Sequence, residues 1–137
     1  MKNIFKSITV LVLVLSVSNL NAQTGEMNFT LSSTSINVSG QNIAISSTIT
    51  KTGNTLVWVQ SADNNVDTTS FTITSKTGNW NQDTSLGSVI YSMIKENKQV
   101  NLTLLSQETG ITATLTFNTA DNKVGNYTFN INTISYQ

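Results

Sequence analysis

Residues 111–117 read Ile111-Thr112-Ala113-Thr114-Leu115-Thr116-Phe117, with an apolar side chain at every odd position and a threonine at every even one. A period of two puts each set on its own face of an extended chain, so this stretch reads as a strand buried on one side and solvated on the other. The pattern recurs on both sides of it. Val100, Leu102 and Leu104 precede it across Glu108-Thr109-Gly110, which reads as a hairpin turn, and Tyr127, Phe129 and Ile131 follow. Upstream lie Met27-Phe29-Leu31 and Ile36-Val38, then Ile43-Ile45 through Ile49, then Thr55 to Gln60 and Phe71-Ile73, all taken at alternate positions. Ser39-Gly40-Gln41-Asn42 and Lys51-Thr52-Gly53-Asn54 supply turn residues between them. The chain therefore reads as all-β, with about eight antiparallel strands.

Two places break the alternation. In the last strand the apolar positions switch from odd, ending at Ile131, to even at Ile134 and Tyr136, which predicts a bulge near Asn132-Thr133. Leu86, Val89, Ile90, Met93 and Ile94 follow helical spacing instead, with Asp83 or Ser85 to cap the start and Asn97 to close the end. That spacing predicts a short amphipathic helix at about 84–97. Leu56-Val57-Trp58-Val59 is apolar on both faces and needs cover from both sides. An antiparallel β-sandwich with the helix packed on it would provide that cover. An eight-stranded antiparallel barrel is the alternative.

The first 22 residues read as a cleavable signal peptide: Lys2 and Lys6, an apolar run from Ile8 to Val17, and a short polar stretch ending at Ala22. The run is far shorter than the roughly 20 residues that span a bilayer, so stable membrane insertion is not expected. Residues 23–137 form one expected domain, secreted to a bacterial periplasm or beyond. With no cysteine in the chain, that domain must be held by packing and strand pairing alone. Charged residues make up 10% of the chain, and the cations are all lysine, so it has no basic footprint for nucleic acid. Low charge and the absence of proline leave edge strands without two common protections against strand addition.

The chain contains no histidine and no cysteine. This excludes a Ser-His-Asp triad, a thiolate nucleophile and any metal or haem site built on those ligands. No carboxylate pair is marked out as catalytic, so no catalytic residue and no cofactor is expected. Asp63, Asn65 and Asp67 place oxygens at alternate positions, as a calcium loop does, but Thr68 stands where the loop's turn glycine belongs and Thr74 where its bidentate glutamate belongs. Trp80 sits among Asn79, Asn81, Gln82 and Asp83, an aromatic face flanked by polar groups that suits a sugar. The plainer reading folds Trp80 back as a plug on the core edge. These features lead to a secreted, non-enzymatic binding module of the cell envelope that engages a glycan or a protein. The competing expectations are a self-associating structural or adhesive subunit and a small barrel that binds an apolar ligand.

Overall fold

The computed structural model describes residues 26–118 and 124–137. The signal-peptide reading lies outside them. Eleven strand segments form one antiparallel sheet: β1 (Phe29–Ser33), β2 (Ile36–Val38), β3 (Gln41–Ile43), β4 (Ser46–Thr52), β5 (Thr55–Ala62), β6 (Asn65–Asn81), β7 (Leu86–Lys95), β8 (Lys98–Gln107), β9 (Gly110–Asn118), β10 (Val124–Ile131) and β11 (Thr133–Tyr136). The all-β antiparallel expectation holds, with a single sheet in place of the two layers of a sandwich.

The hydrogen-bonded order is β11-β1-β4-β5-β6-β7-β8-β9-β10-β2-β3, with short segments at both ends. These ends belong to the same two stretches of chain. β1 runs into β2 and β10 runs into β11, and the two stretches pair in one unbroken register: Phe29 with Tyr136, Ser32 with Thr133, Ile36 with Phe129 and Val38 with Tyr127. Across the junction the Asn132 N–H donates to the Ser32 carbonyl at 2.8 Å. The first and last strands are therefore partners, and the sheet curls into an up-and-down barrel. With β3 and β4 also continuous through Ala44 and Ile45, the eleven segments make eight long strands. Aromatic contacts cross the interior between strands that are not ladder neighbours. Phe29 meets Tyr91 at 6.0 Å, Phe71 meets Phe117 at 6.1 Å, and Trp58 meets Phe129 edge-on at 5.4 Å.

The parity switch at the end of the chain has a different origin from the expected bulge. Asn132 and the Thr34-Ser35 pair bend together, and both strands change their inward face at the same level: Leu31 and Ser33 give way to Ile36, and Ile131 to Ile134. The Asn132 Oδ1 accepts from the Thr34 N–H at 2.9 Å and from its hydroxyl at 3.3 Å, which fastens the two bends to each other.

The expected helix at 84–97 is absent: Leu86–Lys95 is strand β7, among the described residues no helix occurs, and Glu96 and Asn97 form the next turn with φ of 49° and 63°. Val89, Tyr91 and Met93 point into the core, while Ile90 and Ile94 are exposed on the outer face. Apolar residues on both faces of a strand imitate the helical spacing. The outer faces of Val57 and Val59 are covered without a helix. Each is half-buried between β-branched or small neighbours, Thr50 and Ser70 around Val57 and Thr48 and Thr68 around Val59. Inside, Phe29, Leu31, Leu56, Phe71, Leu102, Leu104, Leu115 and Phe129 are almost fully buried. Burying each such side chain contributes about 1.5–3 kcal/mol.

Candidate ligand cleft at the barrel mouth

The meander gives the barrel two distinct ends. The turns at Ser39-Gly40, Asp63-Asn64 and Glu96-Asn97 lie at one end with the outer limits of β9 and β10. The turns at Gly53-Asn54, Gln82–Ser85 and Glu108-Thr109 lie at the other, with Glu26 and Gln137.

At the first end the interior stops short of the rim and leaves a cleft of about 520 Å³. Its aromatic floor is Trp58, Phe117 and Tyr127. The Tyr127 ring stands 5.7 Å from Trp58 and 5.5 Å from Phe117, the latter nearly perpendicular at 88°. The sequence explains the void in two ways. Inward positions on β5 and β6 turn polar toward the rim, with Gln60 facing Asp67 and the shorter Thr69 next to Trp58. On β10 the inward position that faces Phe117 is Gly125, and a Cβ there would meet nothing within 4 Å. The β7–β8 side carries Lys95 and Lys98, paired across that hairpin. Trp58 itself is only 5% exposed, and its indole N–H has no acceptor. A buried polar group without a partner typically costs about 1–3 kcal/mol.

The inward rung Ser33–Ser47–Gln60–Asp67 links the interior to this rim, each residue facing the next across a strand pair. Ser33 and Ser47 are buried; the Ser33 hydroxyl donates to the Ser35 carbonyl at 2.8 Å, and the Ser47 Oγ has no partner.

The residues singled out by sequence lie elsewhere. Trp80 is at the far end of the barrel, half-buried against the core, with its indole N–H donated to Tyr136 Oη at 2.9 Å. Asn79, Asn81, Gln82 and Asp83 are exposed along the same hairpin, where they border a shallow recess with Leu86 and Gly87. The Asn81 Oδ1 is occupied by the backbone N–H groups of Asp83 and Thr84, at 2.9 and 3.3 Å. Asp63 and Asn64, with φ of 48° and 64°, make the two-residue β5–β6 turn, and Asn65 and Asp67 follow on one face of β6. Among the described residues no three His, Cys, Asp or Glu side chains converge as a metal site would require. Only Asp67 belongs to the cleft as well.

The far end holds an unexpected ionisable pair, both members lining a cavity of about 220 Å³. Lys51 is 4% exposed; its Nζ donates to the Met27 carbonyl at 2.8 Å and lies 5.7 Å from the centre of the Tyr91 ring. Burial lowers the Lys51 pKa, the Glu26 carboxylate opposes that shift and Lys76 adds to it. Burial, with Glu26 behind it, pushes Tyr91 up to about 12.

No protein family, curated protein or solved structure matches this chain. Its function must be argued from the cleft itself. Lys95, Lys98, Phe117, Gly125 and Tyr127 come from four strands, and in the sequence each looks like ordinary strand or turn material. The one local signal was Gly125, a side chain missing from the apolar set that continues with Tyr127 and Phe129.

Proposed function

We propose that this is an exported, non-enzymatic binding barrel that holds one small, largely apolar molecule in its mouth. The observation that carries this reading is the cleft of about 520 Å³ over Trp58, Phe117 and Tyr127. Concave, aromatic-lined sites with a few polar groups at the edge are the usual form of small-molecule sites, and the mouth of a β-barrel is a frequent place for them. The other readings have less support. The Trp80 N–H is committed to Tyr136 at the far end, so a sugar platform there would have to form without it. Strand addition would have to use the short outer sides of β3 and β11 or the one-sided halves of β6, Asn65–Phe71 beside β5 and Ile73–Asn81 beside β7, because pairing of the first and last strands consumes the terminal edges of the sheet.

The test is a fluorescence titration with N-phenyl-1-naphthylamine, an uncharged probe that brightens on entering an apolar site. Saturable binding at one site is expected, and Gly125→Leu, which fills the void without a backbone clash, should abolish it. No binding, or binding undiminished in Gly125→Leu, would sink the proposal.

A further inference from the structure

We infer that the ligand of the mouth is an anionic amphiphile, an apolar or aromatic body bearing a carboxylate, sulfate or similar group that Lys95 and Lys98 receive. This rests on the binding-barrel reading and adds the charge of its ligand.

Lys95 and Lys98 face each other directly across the β7–β8 pair, and like charges so placed destabilise a ladder. Both border the cleft, and Glu96, in the turn that joins them, does not. Lys95 is half-buried and Lys98 exposed. The one carboxylate of the cleft among the described residues, Asp67, stands on β6, which pairs with both β5 and β7. The cleft thus sets two cations and one carboxylate around an aromatic floor. A flat apolar body resting on Trp58 and Tyr127 with its anion turned toward the β7–β8 hairpin satisfies all three, and it relieves the repulsion between the lysines. A neutral ligand leaves that repulsion in place, and a cation would meet two like charges against one opposite.

The experiment compares two probes of nearly the same body, 1-anilinonaphthalene-8-sulfonate and uncharged N-phenyl-1-naphthylamine, on wild type and on Lys95→Gln/Lys98→Gln. Two partly exposed ion pairs correspond to roughly a fivefold preference for the sulfonate. That preference should shrink toward one in the double variant and in high salt, and rise about twofold in Asp67→Asn. Equal affinities in wild type, or a preference that survives the double variant, overturn the inference while leaving the binding barrel standing. If neither probe binds, the barrel reading falls and the inference with it. Thermal melts of the variants, altered only at exposed or half-buried polar side chains, confirm that each is folded.

Discussion

The indole N–H of Trp80 donates to the hydroxyl of Tyr136 at 2.9 Å, and the same hydroxyl lies 2.7 Å from the Ser85 Oγ. One phenol oxygen therefore ties the β6–β7 hairpin to the last strand at the barrel end away from the cleft.

Tyr136→Phe removes both contacts and keeps the ring. A loss of about 1–2 kcal/mol is expected from two part-buried hydrogen bonds, read as a lower urea midpoint with an unchanged slope. Binding of the uncharged probe at the opposite mouth should be unaltered. A drop in probe affinity matching the drop in stability would mean that the two ends are not independent.

Gly78 and Gly87 occupy the β6–β7 ladder with φ of 98° and 132°, and a Cβ on either would stand 2.3 and 2.2 Å from a facing backbone carbonyl oxygen, of Ser88 and Asn79 respectively. Alanine at either position forces the backbone apart, at a cost of about 2 kcal/mol or more. Gly125→Ala should cost under 1 kcal/mol, since its Cβ enters open space and its φ is ordinary. Thermal melts of the three variants side by side decide the point.

Stability should depend on alkali in two opposed ways. The folded pKa of Tyr91, about 12, exceeds its ordinary value of 10.0, so the folded state holds a proton that the unfolded chain gives up. Stability is lost as pH rises from 10.0 toward 12. The folded pKa of Lys51 lies below 10.5, so there the unfolded chain holds the extra proton, and stability is gained between the lowered value and 10.5. Urea midpoints measured across this range should fall above pH 10 in wild type and fall less in Tyr91→Phe. At neutral pH that variant should be neutral or slightly stabilising, because the Tyr91 Oη has no hydrogen-bond partner to lose. An equally steep alkaline fall in both proteins would contradict the assignment to Tyr91.

Residues 23–137 should run as a monomer in light scattering after size exclusion over a wide concentration range, because pairing of the first and last strands consumes the terminal edges of the sheet. Intact mass of protein secreted by a bacterial host should begin at Gln23, as expected for cleavage after Ala22. Concentration-dependent growth in mass would return the search to β3, β11 and the one-sided halves of β6.

The strands were legible because burial imposes a period of two, and residues 111–117 display it without exception. Leu86–Ile94 was misread because a barrel strand with isoleucines on its outer face matches helical spacing as well as its own. The switch at Asn132 was visible, but its cause required the partner bend at Thr34, about a hundred positions away. The cleft was out of reach for the same reason. Its floor sets Trp58 against Phe117 and Tyr127 of the β9–β10 ladder, a meeting that the curl of the sheet produces, whereas Trp80 with its amide neighbours is a local pattern that tertiary structure put to another use.

Phe29 pairs with Tyr136, so the seam of the barrel joins the first residue of the first strand to the last residue of the last. Contacts that far apart in sequence form late, since a long loop must close before they contribute. A growing chain can zip one hairpin onto the next, yet until the last strands, Val124–Ile131 and Thr133–Tyr136, emerge the sheet remains an unsealed ribbon with two bare edges. That interval, and not the finished barrel, is when this protein is most exposed to adding itself to a neighbour.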